Sequence, residues 1–208
     1  MSQAFTKTIQ MYNQFAAKFA EHYEKKLGVA ELDRFLKYIS PGGQILDAGC
    51  GAARDSAYFI AKGYRAYGID LSEGLLAQAN KIHPEVPTQL MSLTKISLAD
   101  EQFDGVWCKA ALLHINRDEV ALVLKSFHRI LKPGGIMFIQ TKEGVGEGLQ
   151  SAPFDTNVHR LFTFFSLDEL THLVAEAGFT LLESTVFNGK QRNANSRNID
   201  WIVLYAKK

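Results

Sequence analysis

From residue 44 onward, short apolar runs of strand length alternate with segments whose apolar residues recur every three or four positions. The apolar runs predict strands at residues 44–47, 67–70, 88–91, 103–109, 136–141, 179–187 and 200–206. The three- and four-residue spacing predicts helices at residues 52–61, 72–82, 116–131 and 166–177. Strands that alternate with helices in this way are typical of an α/β fold with a mostly parallel sheet.

Residues 5–39 precede this alternation and have a helical pattern of their own. One face of the first segment is apolar and rich in aromatic residues, namely Ile9, Tyr12, Phe15, Ala16, Phe19 and Tyr23. A second helix is predicted over residues 30–39, where the sequence Ser-Pro-Gly-Gly from Ser40 ends it. We interpret residues 1–40 as cap helices that cover one end of the sheet.

Two later segments interrupt the regular pattern. Residues 142–165 contain several glycines and aromatic residues and are predicted to form a long loop, which is usually functional or mobile in a compact domain. Residues 188–198 are predicted to form the tip of an antiparallel hairpin and carry Lys190, Arg192 and Arg197. These cations are either solvated or form a small patch for phosphate or RNA.

The chain turns sharply after the first predicted strand, where Asp47 is followed by Gly49 and Gly51. Glycine permits positive φ and lets a ligand approach the main chain closely. A dinucleotide fingerprint requires a third glycine at the position of Arg54. Because the Asp47 carboxylate would also repel a pyrophosphate, a ligand that carries positive charge fits this turn better.

A second acid, Asp70, ends the second predicted strand. A carboxylate at this place can accept hydrogen bonds from both hydroxyls of a ribose, and charge-assisted bonds of this kind contribute roughly 1.5–3 kcal/mol. Asp47 and Asp70 together favour a cationic nucleoside over a dinucleotide as the ligand.

Four blocks of the sequence occur in a recognisable order. They are D-x-G-C-G at residues 47–51, G-I-D-L-S around Asp70, F-D-G-V-W at 103–107 and L-K-P-G-G at 131–135. With these blocks the sequence closely resembles the class I S-adenosylmethionine (SAM) dependent methyltransferases of the small-molecule type. The resemblance implies a Rossmann-like three-layer sandwich with a seven-stranded, mostly parallel sheet in the order 3-2-1-4-5-7-6, its last strand antiparallel.

The resemblance also implies the activity and the cofactor. We expect a methyl group to move from SAM to a small-molecule acceptor, with S-adenosylhomocysteine as the product and no metal. An RNA or protein methyltransferase and a non-catalytic SAM-binding regulatory protein remain alternatives. A nicotinamide dehydrogenase is disfavoured by Arg54 and Asp47.

Several residues are predicted to contact SAM. Asp47 would lie near the cationic amino-acid portion of the cofactor, and Arg54, if it turns inward, would pair with the cofactor carboxylate. The resemblance places Tyr12, in the pattern Y-x-x-x-A, over the cofactor and Lys109 beside the methionine moiety. Members of the family commonly have an Asp at the adenine amino group where this chain has Ser92, so this contact would be weaker. The predicted cofactor-binding residues are Tyr12, Asp47, Ala48, Gly49, Cys50, Gly51, Arg54, Asp70, Leu71, Ser92, Leu93, Lys109 and Ala110.

The acceptor pocket is less defined by the sequence. The resemblance places it between residues 142–165, as a substrate-covering loop, and the N-terminal helices. His159 and Arg160 are candidate acceptor contacts, with solvated loop side chains as the alternative. His114 is either a packing residue or a base near the substrate. We assign no catalytic residue, because transfer from a sulfonium needs mainly alignment and exclusion of water.

Composition sets the remaining expectations. A chain of 208 residues, 47% of them hydrophobic, is long enough for one α/β domain, so we expect residues 1–208 to form a single methyltransferase domain. A net charge of +1 gives no reason to expect nucleic acid or an anionic membrane as a partner. Cys50 and Cys108 form no C-x-x-C motif, and no apolar run approaches the roughly eighteen residues of a membrane span. We therefore expect a soluble cytoplasmic protein, whose oligomeric state the sequence does not indicate.

Overall fold

A seven-stranded sheet forms the centre of the computed structural model, which describes residues 3–152, 154–155, 157–192 and 198–208. The strands are β1 Gln44–Ala48, β2 Arg65–Asp70, β3 Thr88–Leu90, β4 Phe103–Lys109, β5 Leu131–Lys142, β6 Glu147–Ser151, β7 His159–Thr163, β8 Thr180–Asn188 and β9 Asp200–Lys207. The α-helices are α1 Gln3–Gln14, α2 Ala16–Glu24, α3 Val29–Leu36, α4 Arg54–Ala61, α5 Glu73–Ile82, α6 Val120–Ile130, α7 Leu167–Glu176 and α8 Gly189–Arg192. Short 3₁₀ helices occupy Leu93–Lys95, Leu112–His114 and Arg117–Glu119.

The order of strands in the large sheet is β3-β2-β1-β4-β5-β9-β8. Strands β1 to β5 pair in parallel, and β9 is antiparallel to both of its neighbours. Strands β6 and β7 form a separate two-stranded sheet. When these two strands are left out of the count, the order is the predicted 3-2-1-4-5-7-6, which confirms the predicted fold class.

The sheet is buried on both faces. Leu46 and Val106 belong to the core that contains α6 and α7, whereas Ile45 and Trp107 belong to the core that contains α3 and α4. The Trp107 ring stacks on Phe138 with a centroid distance of 3.8 Å. Because neighbouring residues of a central strand are both buried, these strands occur in the sequence as continuous apolar runs.

Three local features differ from the predicted elements. The aromatic N-terminal segment forms two helices, because the Phe15 backbone between them leaves the helical conformation (φ −108°, ψ 20°). Residues 117–119 form a 3₁₀ turn before α6. Strand β5 begins at Leu131 and includes Pro133, and the pairing with β4 shifts its register between Phe103 and Gly105. A proline is compatible with a strand at such an irregularity because no ladder hydrogen bond is lost there.

Residues 142–165, which we predicted as a long loop, contain the β6–β7 hairpin. Its ladder runs from Glu147 opposite Thr163 to Ser151 opposite His159. On β7 the buried residues Arg160 and Phe162 alternate with the exposed His159 and the partly exposed Leu161. An arginine among the buried positions breaks the apolar alternation by which a strand is recognised in a sequence.

At the carboxyl end of the chain, β8 and β9 form the predicted antiparallel pair. Residues 189–192 at its tip form the short helix α8, and residues 193–197 lie outside the described part of the chain. At the start of α7 the Ser166 hydroxyl caps the helix by accepting the backbone N–H of Glu169 at 3.1 Å. Among the helices described, none has the length and hydrophobicity that crossing a membrane requires.

Candidate active site

The carboxyl ends of β1, β2 and β4 meet at one edge of the sheet. In the parallel register, Asp47 lies opposite Gly68 on β2 and opposite Trp107 on β4. After β1 the chain folds over the end of β2, because the backbone N–H groups of Gly49 and Cys50 both donate to the Ile69 carbonyl, at 2.8 and 3.0 Å. In open α/β sheets this edge is where ligands bind.

The turn after β1 requires glycine at residue 49. Gly49 has φ +83°, and a Cβ atom at this position would lie 2.2 Å from the Ala111 Cβ. A side chain would therefore be strained by its backbone conformation and would also collide with the segment that follows β4. The close approach of these two segments brings the β1 turn and the end of β4 together.

Asp70 fixes the same turn from the side of β2. Its Oδ2 accepts the Gly51 N–H at 2.9 Å, and its Oδ1 accepts the Ser72 N–H at 2.8 Å. Burial raises the pKa of Asp70, and the backbone hydrogen bonds from Ser72 and Gly51 oppose this shift. The carboxylate thus links the glycine turn to the start of α5 and lies where the sequence placed a ribose-binding acid.

Asp47 is 3% exposed, and its Oδ2 accepts the Ser56 hydroxyl at 2.7 Å. Burial and the nearby Asp55 carboxylate raise the pKa of Asp47 to about 7. A cation bound beside Asp47 would favour its ionised form. The environment of Asp47 is therefore compatible with a ligand ammonium group.

Asp55 is a second buried acid, which the sequence did not single out. Its Oδ2 accepts the Trp107 indole N–H at 3.0 Å and lies 3.4 Å from the Lys109 Nζ. Its Oδ1 accepts the Arg54 Nε–H at 2.7 Å. Burial alone would raise the pKa of Asp55, but Lys109 and Arg54 hold it below the ordinary value. Two adjacent buried acids at this edge therefore differ in protonation: Asp55 is ionised, and Asp47 titrates near neutral pH.

Arg54 has partners other than the predicted cofactor carboxylate. Besides Asp55, its Nη1 donates to the carbonyls of Tyr23 and Lys26 at 2.6 and 3.1 Å. These bonds tie the start of α4 to the end of α2. Arg54 thus has an ionised neighbour and two carbonyl groups as partners, and its pairing with the cofactor carboxylate remains a prediction.

Lys109 ends β4 with a buried ammonium group. Its Nζ makes no hydrogen bond with the described residues, although it lies 3.4 Å from Asp55 Oδ2 and 5.6 Å from the centroid of the Trp107 ring. A Cβ at Gly28 would lie 2.8 Å from this Nζ. A buried ammonium whose donors lack acceptors fits a ligand carboxylate in this corner.

Helix α1 lies across this edge of the sheet. Asn13 Oδ1 accepts the Ser72 hydroxyl at 2.7 Å and the Gly74 N–H at 3.1 Å, which fastens α1 to the start of α5. A Cβ at Gly74 would lie 2.7 Å from the Asn13 carbonyl oxygen, so only glycine permits this contact. Nearer the N-terminus of α1, the Thr8 hydroxyl accepts the Leu161 N–H at 3.0 Å. Helix α1 therefore connects α5 to the β6–β7 hairpin.

Tyr12, on the same helix, contacts His114 in the segment after β4 and Arg160 on β7. Its hydroxyl lies 2.9 Å from His114 Nε2 and accepts Arg160 Nη1–H at 3.0 Å. His114 Nδ1 lies 3.0 Å from the Leu161 carbonyl, so we assign the proton to Nδ1 and let Nε2 accept from Tyr12. Burial raises the pKa of Tyr12 to about 12, and Arg160 opposes this shift. Burial and then the Arg160 and Lys142 cations lower the pKa of His114 to about 3.

The other predicted site residues lie along the same edge. Ser92 caps the 3₁₀ helix Leu93–Lys95 by accepting the Thr94 N–H at 3.2 Å, and Leu93 is buried. Ala110 has φ +55° and donates its N–H to Gln140. Burial raises the pKa of the Cys50 thiol, so this residue stays protonated. These positions, together with Ala48 and Leu71, remain predictions as cofactor contacts.

The described residues contain no group of three or more His, Cys, Asp or Glu side chains arranged to hold a metal ion.

Asp55, Asn13 and the partners of Arg160 were not found by sequence reasoning. For Asp55 a signal existed in its position beside Arg54, four residues after the D-x-G-C-G block. For Asn13 and Arg160 the partners are distant in sequence, and no local pattern indicates them.

Residues 46–139 match a family described as a methyltransferase domain. Over 194 residues the chain is 26% identical to a malonyl-[acyl-carrier protein] O-methyltransferase of Erwinia billingiae, covering 91% of this chain and 72% of that protein. Other relatives are 34% identical over 128 or 105 residues, which is 52% or 44% of their own length.

Solved structures share the fold. A SAM-dependent methyltransferase from Methanosarcina mazei matches with a TM-score of 0.76 and 20% identity, over 84% of this chain and 96% of that chain. The Burkholderia thailandensis 1,6-didemethyltoxoflavin-N1-methyltransferase, with bound 1,6-didemethyltoxoflavin and S-adenosylhomocysteine, matches with a TM-score of 0.67 and 24% identity, over 97% and 90% of the two chains.

The sheet order is that of a Rossmann-like α/β fold, and the acids and the glycine turn lie at the edge where such sheets bind ligands. With the matched domain, the methyltransferase relatives and the shared fold, the chain is similar to the class I SAM-dependent methyltransferases.

Proposed function

We propose that this protein transfers a methyl group from SAM to a small-molecule acceptor. The small-molecule assignment rests on one observation: helix α1 covers the edge of the sheet where the parallel strands end. Helix α1 is fastened to α5 through Asn13, to the segment after β4 through Tyr12, and to β7 through Thr8. An acceptor that reaches the methyl group beneath this cover has to fit between side chains, which favours a small molecule over a polymer.

The residues at the edge fit the parts of SAM. Asp70 would accept the ribose hydroxyls, in line with its fixed position between Gly51 and Ser72. Lys109 would bind the cofactor carboxylate, which would give its buried ammonium an acceptor. Asp47 would lie near the cofactor ammonium group. The main chain of residues 49–51 would contact the cofactor closely, and Ser92 and the Leu93 backbone would bond the adenine.

When bound, SAM supplies a methyl group that is activated by the positive charge on its sulfur. The chain contributes alignment and exclusion of water, which α1 and Tyr12 provide by covering the edge. His114 stays neutral at neutral pH, but a pKa of about 3 makes it a poor base. Of the two interpretations of His114, its two hydrogen bonds favour the packing residue over the base, and we assign no general base.

The relatives support a small acceptor. The Burkholderia structure holds 1,6-didemethyltoxoflavin, which is a small molecule, beside S-adenosylhomocysteine. The Erwinia relative is named for a malonyl group carried on an acyl-carrier protein. The net charge of +1 also gives no electrostatic reason for a nucleic-acid substrate.

Two measurements test this proposal. Calorimetry should detect binding of SAM and S-adenosylhomocysteine and no comparable binding of NAD; binding of NAD alone would exclude the methyltransferase function. Incubation with SAM labelled on its methyl group should then label components of a small-metabolite extract. Labelling of bulk RNA or protein in place of metabolites would overturn the small-molecule assignment.

A further inference from the structure

Arg160 is a buried cation whose identified partners are neutral. The side chain is 6% exposed; its Nη1 donates to the Tyr12 hydroxyl at 3.0 Å and its Nη2 to the Ser151 carbonyl at 3.5 Å. The Tyr23 hydroxyl is a further partner. Its Nε is buried and has no hydrogen-bond acceptor, and no ion pair joins Arg160 to a carboxylate within the described ranges. One donor of this guanidinium is therefore available to a ligand.

Aromatic rings surround the guanidinium. Its Cζ lies 5.8, 5.3 and 4.9 Å from the ring centroids of Tyr12, Phe19 and Phe162. Contacts of this kind stabilise a cation only modestly, whereas removing an ion from water is costly and leaving one of its donors unbonded adds to that cost. The rings offset only part of this cost, and a bound anion would offset the remainder.

A second cation adds to the positive potential. Lys142 is 4% exposed, and its Nζ lies 3.7 Å from the centroid of the same Phe162 ring. His114, which faces Tyr12, has its pKa lowered by burial and by both cations, and it carries no charge to oppose them. The surroundings of Tyr12 on this side are thus cationic and aromatic.

We propose that Arg160 binds an anionic group, a carboxylate or phosphate, of the methyl acceptor. The acceptor is then a small molecule with an apolar body, which lies against the aromatic rings, and an anionic head that accepts from Nε. This inference rests on the proposed function and names the chemical class of its substrate.

The cofactor carboxylate is the other possible source of an anion. Lys109 is its better partner, because it ends β4 within residues 46–139, the part that matches the methyltransferase domain. Arg160 lies outside that part, on the β6–β7 hairpin. A cation on the hairpin therefore suits the ligand that differs between relatives.

The test uses protein saturated with S-adenosylhomocysteine and three probes: benzoate, its uncharged isostere benzamide, and inorganic phosphate. We expect benzoate or phosphate to bind at least tenfold more tightly than benzamide. The variant Arg160→Gln should lose that preference, Arg160→Lys should keep part of it, and His159→Gln, on the exposed face of β7, should keep all of it. Binding of neither anion, or an equal preference in Arg160→Gln, would overturn the proposal.

A separate arm distinguishes the two anion sources. Affinities of Arg160→Gln for S-adenosylhomocysteine and for methylthioadenosine, which lacks the amino-acid carboxylate, should equal those of the unmodified protein. Weaker binding of S-adenosylhomocysteine alone would assign Arg160 to the cofactor and contradict the acceptor assignment. Absence of S-adenosylhomocysteine binding by the unmodified protein would instead reject the proposed function. If Arg160→Gln does not fold, the benzoate-to-benzamide ratio of the unmodified protein and Arg160→Lys decides the question.

Discussion

The two sides of the candidate active site have opposite chemistry. The side formed by the ends of β1, β2 and the start of α4 is acidic, with Asp47, Asp55 and Asp70 close together. The side formed by α1, the end of β5 and the β6–β7 hairpin is cationic and aromatic, with Lys142 and Arg160 buried. The acidic side suits a cationic cofactor, and the cationic side suits an anionic acceptor. Under the proposed function, the difference in charge would direct the two ligands to different sides.

The largest effect is expected from Asp70→Ala, which breaks the acidic side. Loss of the ribose hydrogen bonds should weaken S-adenosylhomocysteine binding by roughly 1.5–3 kcal/mol, about 10- to 150-fold in Kd by calorimetry. Asp104→Asn is the matched control: this acid at the opposite end of β4 bonds the Gln44 N–H and Lys132. It should lower stability without changing the affinity. Equal affinities for Asp70→Ala and the unmodified protein would remove Asp70 from the site.

A smaller effect is expected from Lys109→Met, which tests the cation on the cofactor side. Removal of the ammonium should weaken S-adenosylhomocysteine binding about tenfold and leave methylthioadenosine binding unchanged, because only the first ligand has the carboxylate. Titration calorimetry with both ligands measures the difference. A loss of the same size for both ligands would indicate a structural role for Lys109 beside Asp55.

The smallest effect concerns pH and tests the cationic side. The folded state keeps His114 neutral because its pKa is lowered from 6.5 to about 3, whereas the unfolded chain binds a proton below about pH 6.5. The free energy of unfolding should therefore decrease as the pH falls from 6.5 towards 4. In His114→Gln the free energy of unfolding should decrease less steeply with falling pH. The difference in slope should correspond to less than one proton taken up on unfolding. His172→Gln, with a side chain 74% exposed on α7, should retain the slope of the unmodified protein in urea titrations. If both variants show that slope, burial and the Arg160 and Lys142 cations do not hold His114 neutral.

The sequence predicted the acidic side well because its contacts are local. Asp70 and Gly51 are 19 residues apart and belong to consecutive strand–helix units, so strand length and glycine spacing indicate their proximity. Burial on both faces of the sheet gave the apolar runs that located the central strands. The carbonyl partners of Arg54 at the end of α2 were not predicted even here, because they are 31 and 28 residues away in sequence.

The cationic side was largely beyond sequence reasoning. Tyr12 and His114 are 102 residues apart, and Tyr12 and Arg160 are 148 residues apart. Their contact depends on the path of α1 over the sheet and on the β6–β7 hairpin. The buried Arg160 breaks the apolar alternation of β7, so this strand is not recognised in the sequence. Local patterns determine each element, but they do not determine which distant side chains those elements bring together.

The contact between Gly74 and α1 has a kinetic consequence. A Cβ atom at residue 74 would collide with the backbone of Asn13. A single added methyl group would therefore push α1 away from α5. In Gly74→Ala, S-adenosylhomocysteine should exchange several-fold faster in stopped-flow measurements, while the residues that bind it stay in place. An unchanged exchange rate would mean that ligands pass without displacing α1. The hydrogen atom at residue 74 would thus set the residence time of the cofactor.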